Sequence, residues 1–267
     1  MVETILVTGS TGTVGSEVVK QLSSAGQKVR AAVRSTSSDK LKGVELVEMD
    51  YNKPETLATA FKDADKLFLL TPNSSKAAEF ASNLVTEAKK AGIKHIVKQS
   101  LMGADQDVDL DHLHLHRKAE KVIEESGIPF TFLRPNDFMQ NFVNFYGPSI
   151  RSKNAIYLPA EDAKVSFVDV RDIAAVAVKA LTDDENSRHN GKAYTITGPE
   201  ALSYYQAAEI LSNATGKKIA YVNVSEEVLR QGMKDMGVDD WSINNSQNSL
   251  GSTERDMGHN YLLQLKK

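Results

Sequence analysis

Between Ile5 and Leu133 the chain alternates short apolar runs with longer stretches of helical spacing, and this rhythm leaves few folds open. Ile5-Leu6-Val7 is a strand that stops at Thr8-Gly9, and Val14, Val18, Leu22 and Ala25 then share one face of a helix over 13–25. Val29 to Val33 and Val44 to Val47 give two more strands. Pro54 suits the first turn of a helix running to Phe61. A fourth strand, 66–70, ends at Thr71-Pro72, and a helix from Ala77 to Ala91 is closed by Gly92 as a left-handed cap. His95 to Lys98 is a fifth strand, Asp111 to Ser126 a helix ended by Gly127, and Phe130 to Leu133 a sixth strand.

Strands that recur every roughly 30 residues with helices between them predict a parallel sheet covered on both faces. Their apolar, non-alternating composition agrees with burial on both sides. The expected fold is therefore α/β: a doubly wound parallel (Rossmann) sheet with a small α+β C-terminal lobe. Residues 1–150 are assigned to the sheet, with 165–182 returning to it, and 151–267 to the lobe. In the second part, Asn136 to Tyr146 reads as helix, Val165 to Val168 as strand, Arg171 to Leu181 as helix and Ala193 to Ile196 as strand. Tyr205 to Ala214 and Glu226 to Met236 also read as helices. Beyond Trp241 the chain is polar and aperiodic, which predicts loop or disorder.

Thr8-Gly9-Ser10-Thr11-Gly12-Thr13-Val14-Gly15 fills the first strand–helix turn. Gly9 permits the tight turn, Gly12 lets the backbone approach a pyrophosphate, and Gly15 lets the helix pack closely; the helix start offers free N–H groups to an anion. At the end of the second strand, where an acidic side chain would grip a ribose hydroxyl, stands Arg34, followed by Ser35, Thr36, Ser37 and Ser38; no carboxylate occurs before Asp39. A guanidinium among hydroxyls suits a 2′-phosphate, so NADP(H) is expected over NAD(H). Asp50 either faces the adenine or is a plain turn aspartate. Thr71, Pro72 and Asn73, with Ser100, follow the fourth and fifth strands on the same rim and are candidate contacts to the nicotinamide end.

Composition narrows the chemistry. The 267 residues carry 32 Lys+Arg against 35 Asp+Glu and contain no cysteine. Nucleic-acid binding is not expected from a net charge of −3. Thiolate metal sites and a cysteine nucleophile are excluded. No apolar run is long enough to span a membrane, and Met1-Val2-Glu3-Thr4 lacks the features of a signal peptide, so a cytoplasmic protein is expected. None of the eight tyrosines is followed four positions later by lysine, which removes the Tyr-x-x-x-Lys chemistry of standard short-chain dehydrogenases and disfavours a sugar-nucleotide epimerase.

The glycine loop, Val29-Arg30-Ala31-Ala32-Val33-Arg34, His116-x-x-x-Glu120, the block from Ser126 to Asn141 and the segment from Phe167 to Ala174 together resemble the NmrA-like branch of atypical short-chain dehydrogenases. Within it the chain is similar to NADPH-dependent quinone oxidoreductases and triphenylmethane-dye reductases. The resemblance implies an NADPH-dependent oxidoreductase that passes hydride to a quinone or similar conjugated aromatic acceptor. The alternative it leaves open is a non-enzymatic NADP(H)-binding redox sensor of the NmrA type. A homodimer and a regulatory protein partner both stay open as well. In isoflavone-type reductases a lysine occupies the position that is His116 here, which places this imidazole beside the nicotinamide as a catalytic candidate; a structural pair with Glu120 is the other reading. His112 and His116 share a helical face, so a metal site with Asp109 or Asp111 is a weaker alternative. Phe138, Phe142 and Phe145 recur at helical spacing with Met139 adjacent. They either pack a core or form a wall for an aromatic substrate, with Phe138, Met139 and Phe142 in contact with it.

Overall fold

The computed structural model describes residues 3–37, 41, 43–106, 110–183 and 186–248. In chain order it begins with β1 (Thr4–Val7), α1 (Thr13–Ser24), β2 (Lys28–Val33), β3 (Glu45–Glu48), α2 (Pro54–Phe61) and β4 (Lys66–Leu69). It continues through α3 (Ala77–Ala91), β5 (His95–Gln99), α4 (Asp111–Ser126) and β6 (Phe130–Pro135). Then come α5 (Asn141–Asn144), α6 (Gly147–Lys153), β7 (Ala155–Leu158), β8 (Lys164–Val165), α7 (Val170–Thr182), α8 (Asn186–His189) and β9 (Lys192–Ile196). The last elements are β10 (Leu202–Ser203), α9 (Tyr204–Thr215), β11 (Ala220–Asn223), α10 (Glu226–Asp235) and α11 (Asp240–Asn248).

Seven strands pair in the order β3-β2-β1-β4-β5-β6-β9, every neighbouring pair parallel. This is the doubly wound α/β arrangement predicted above. The order turns back between β1 and β4, and loops that diverge at such a point leave a crevice at the carboxyl ends of the strands. The apolar composition of the strands has its cause here: every residue of β1 and of β4 is buried. Leu6, Leu67, Leu69, Ile96 and Phe132 form one core with Leu57, Phe61, Leu84 and Ile123 from the helices. Pro54 opens α2, and Gly92 ends α3 at φ +74°, a left-handed position that favours glycine.

The chain forms two compact units. The sheet-bearing unit takes Met1–Gln106, Leu113–Pro135 and Val170–Ile196; the second takes Asp107–His112, Asn136–Asp169 and Thr197–Lys267. Three boundaries differ from expectation. Residues 136–150 group with the second unit, the returning segment runs from Val170 to Ile196, and 165–169 stay in the lobe. Asn136–Tyr146 is not one helix: Phe138 makes an isolated parallel bridge to Val168, and helix forms only at α5 before α6 restarts. The aromatic spacing at 138, 142 and 145 mimicked a helical face that the bridge interrupts. Of 165–168, only Val165 lies in a strand, within β8. Past Trp241, α11 continues to Asn248 where loop was expected, and the rest of that segment lies outside the described residues.

The lobe holds two small sheets, β8 with β10 antiparallel and β7 with β11 parallel. Its core is aromatic: Phe142, Tyr146, Phe167, Tyr204 and Tyr221 pack with ring centroids about 5–6.4 Å apart. Among the described residues no helix is long and apolar enough to cross a membrane.

Candidate functional site

The turn from β1 to α1 is built by close backbone approach. Gly9 adopts φ +63°, and a Cβ there would lie 2.3 Å from Leu70 Cδ2. A Cβ on Gly15 would lie 2.2 Å from the Gly9 carbonyl oxygen, so this glycine packs against the loop itself. Gly12 N–H donates to the Gly9 carbonyl at 2.9 Å, and Gly12 caps α1 with no side chain contributing a hydrogen bond. Thr11, Gly12 and Thr13 are exposed. A helix start without a side-chain cap, beside a glycine turn, is the cradle a pyrophosphate requires. The Thr8 hydroxyl donates to the Leu70 carbonyl at 2.9 Å and accepts from Leu70 N–H at 2.8 Å, which ties the ends of β1 and β4 together. Ser10 behaves differently from its neighbours: it is fully buried and its hydroxyl donates to the Ala32 carbonyl of β2, so its side chain fastens the loop from below.

Arg34, at the end of β2, is exposed and makes no hydrogen bond or ion pair among the described residues. Asp39 lies outside the described residues. Asp50 Oδ1 accepts from Asn52 N–H at 2.9 Å, a local turn contact that uses one of its two carboxylate oxygens. Pro72 and Asn73 are exposed and Thr71 is half-buried, just beyond β4.

The carboxyl end of β5 holds a buried charged cluster. Ser100 donates its hydroxyl to Glu120 Oε1 at 2.6 Å. Arg134 binds the same carboxylate bidentately at 3.0 and 2.8 Å, Arg117 adds a contact at 3.1 Å, and Arg134 also pairs with Asp105. Glu120 is fully buried. Burial opposes the Arg134 charge, but Glu120 and Asp105 outweigh it and hold the guanidinium above its ordinary range. The Ser100 hydroxyl is thus engaged inside this network instead of facing a nucleotide. The Glu120 carboxylate is shared by Ser100 and the two arginines, where a pair with His116 was the second reading.

His116 meets Lys98 instead. Lys98 Nζ lies 3.2 Å from His116 Nδ1 and donates to the Gln99 carbonyl at 2.9 Å. Lys98 is 1% exposed, whereas His116 is half-buried. Burial pushes the Lys98 ammonium down to about 7; Glu120 opposes the fall and Arg134 adds to it. Of the metal alternative, Asp109 lies outside the described residues, and among those described no group of three His, Asp or Glu side chains is placed to hold an ion.

In the lobe, Met139 is 41% exposed and Phe138 half-buried, while Phe142 stacks edge-on to Phe167 at 5.0 Å. Phe142 therefore serves the aromatic core. Asp137, between β6 and these residues, is pushed up to about 6 by burial, against hydrogen bonds from Phe138 N–H and Asn141.

A sequence model of the NmrA-like family matches residues 1–258. The chain belongs to that family. It is 39% identical over 249 residues to an NAD(P)H azoreductase of Xenophilus azovorans, a match covering 92% of this chain and 85% of the relative. Among solved structures, the triphenylmethane reductase of Citrobacter sp. complexed with NADP(H) superimposes with a TM-score of 0.78 at 29% identity, over 92% of this chain and 87% of that one. The NADPH-dependent quinone oxidoreductase of Escherichia coli complexed with NADPH gives 0.79 at 27% identity, with the same two coverages, 92% and 87%.

In this NmrA-like chain the residues that sequence reasoning passed over are Lys98 and Asp137. Lys98 left a signal: a lysine inside a strand of a sheet covered on both faces has no solvent to reach. Asp137 left none, because it lies in the irregular segment between β6 and the bridge of Phe138 with Val168.

Proposed function

We propose that this chain is an NADPH-dependent oxidoreductase that reduces a quinone or a similar flat, conjugated aromatic acceptor. The observation that carries the reading is the glycine cradle at the sheet's reversal point, where Gly9 and Gly15 leave no room for a Cβ. The reductase names of the similar proteins support it. Bound NADPH supplies the hydride.

The chain's own residues bind and orient. The turn from Gly9 to Gly15, through the backbone N–H groups at the start of α1 and the Thr11 and Thr13 hydroxyls, holds the pyrophosphate. Arg34, exposed and without an ion-pair partner among the described residues, takes the 2′-phosphate, which is the basis for preferring NADP(H). Asp50 borders the adenine, and Thr71, Pro72 and Asn73 border the nicotinamide end. Ser100 contributes by holding Glu120. Met139 and Phe138 offer apolar surface to the acceptor, with Phe142 backing them. His116 is the proton donor, through Nε2, to the oxygen or nitrogen that is reduced.

Purified protein is tested for acceptor-dependent NADPH oxidation across quinones, azo dyes and triphenylmethane dyes. Turnover with at least one class is expected. Equal affinity for oxidised and reduced dinucleotide with no turnover would overturn the enzyme in favour of the redox sensor. Arg34→Ala should weaken NADPH binding about tenfold and NADH binding little, the size of one charge-assisted contact. Equal losses for both would remove Arg34 from the phosphate.

A further inference from the structure

We infer that Lys98 is a positioning residue that fixes the His116 tautomer and passes a proton through it during reduction. The geometry rests on three observations in the sheet-bearing unit. Lys98 Nζ is in hydrogen-bond contact with His116 Nδ1. The ammonium is sealed from solvent, while the imidazole is half-buried and so links it to the outside. Lys98 is the last residue but one of β5, near the carboxyl end where open α/β sheets bind ligands, and His116 reaches it from α4.

An amine that donates to Nδ1 makes that nitrogen an acceptor and places the imidazole proton on Nε2. The step then balances. The reduced dinucleotide, when bound, would supply hydride and with it two electrons to the acceptor. The Nε2–H bond of His116 breaks as an O–H or N–H bond forms on the reduced acceptor. One Nζ–H bond of Lys98 breaks as Nδ1–H forms, leaving a neutral amine and a neutral imidazole. After product leaves, water returns a proton to Nε2, and Nδ1 hands its own back to Lys98.

The groups facing Lys98 set the working range. His116 and Glu120 approach from α4 and Arg134 from β6. Glu120 is already bound by Arg134, Arg117 and Ser100, so its attraction only moderates what burial does. Lys98 therefore gives up its proton near neutrality, and activity that needs the charged amine falls as pH rises through about 7.

The inference rests on the reductase reading for its chemistry, but its first test does not use turnover. Imidazole nitrogen shifts of His116 are measured by NMR in the unaltered chain and in Lys98→Met. The Nε2–H tautomer is expected in the former and a loss of that preference in the latter. In steady-state kinetics Lys98→Met should lower kcat at least about tenfold and His116→Gln about a hundredfold. KM and NADPH affinity should stay within about twofold for Lys98→Met, and the alkaline limb near 7 should disappear. A tautomer unchanged by Lys98→Met, or an unaltered pH profile, would overturn the relay. Absence of turnover in the unaltered chain would overturn the reductase reading and with it the proton step, whatever the tautomer. Thermal melts on both variants separate these effects from unfolding.

Discussion

Lys66 and Lys98 are both buried, on the adjacent parallel strands β4 and β5, yet their surroundings have opposite character. Lys66 sits at the amino end of its strand, 2.8 Å from the Glu3 carboxylate and 2.8 Å from the Leu181 carbonyl. Lys98 sits near the carboxyl end, donates to the Gln99 carbonyl and lies 3.2 Å from His116 Nδ1, with no carboxylate in hydrogen-bond contact among the described residues. The first arrangement returns to the ammonium much of what desolvation removes; the second leaves the charge poorly compensated. Poor compensation is a cost in stability and an opportunity in chemistry, because only such an amine exchanges its proton near neutral pH. The end of the sheet that carries the glycine loop is the end that carries the cost.

The largest effect that sharpens this contrast is expected from Lys98→Met. Removing a poorly compensated buried amine should stabilise the protein by about 2–3 kcal/mol near neutral pH. The sign with pH is fixed by the lowered value. Between about 7 and its ordinary 10.5 the unfolded chain binds more protons at this site than the folded one, so the unfolding free energy rises with pH across that window. Lys98→Met should abolish that rise. Urea titrations at several pH values read both quantities, and a destabilised variant would break the contrast.

At the other end, Glu3→Gln should cost about 1–2 kcal/mol at neutral pH, because it strips the carboxylate from a buried cation. Burial pushes the Glu3 carboxyl up, but Lys66 and Lys94 outweigh it and hold it below its ordinary value. Its contribution is thus present above the unfolded value and lost as pH falls through the folded one. The cost of Glu3→Gln should shrink in acid, a trend visible in melting temperature against pH. The smallest effect belongs to Lys66→Met, within about 1 kcal/mol of neutral in either direction, since desolvation and pairing nearly cancel. A change as large as that of Lys98→Met would show that the two ends do not differ.

Much of the sheet was legible in the sequence because its signals are local. A strand buried on both faces is mostly apolar, a helix at the sheet must repeat its apolar side chains, and Gly9 and Gly15 stand where a Cβ would collide. The lobe was less legible, since its strands are as short as two residues and the bridge between Phe138 and Val168 joins segments thirty positions apart. The chain by itself therefore determined the doubly wound fold, the glycine turn between β1 and α1 and the exposed arginine after β2. Tertiary structure decided what Glu120, Lys98 and His116 do. The deciding partners, Arg134 and Ser100 for Glu120 and His116 for Lys98, lie 14 to 20 positions away in the chain. Burial and hydrogen bonding across such distances follow from how strands and helix pack, which no local pattern records.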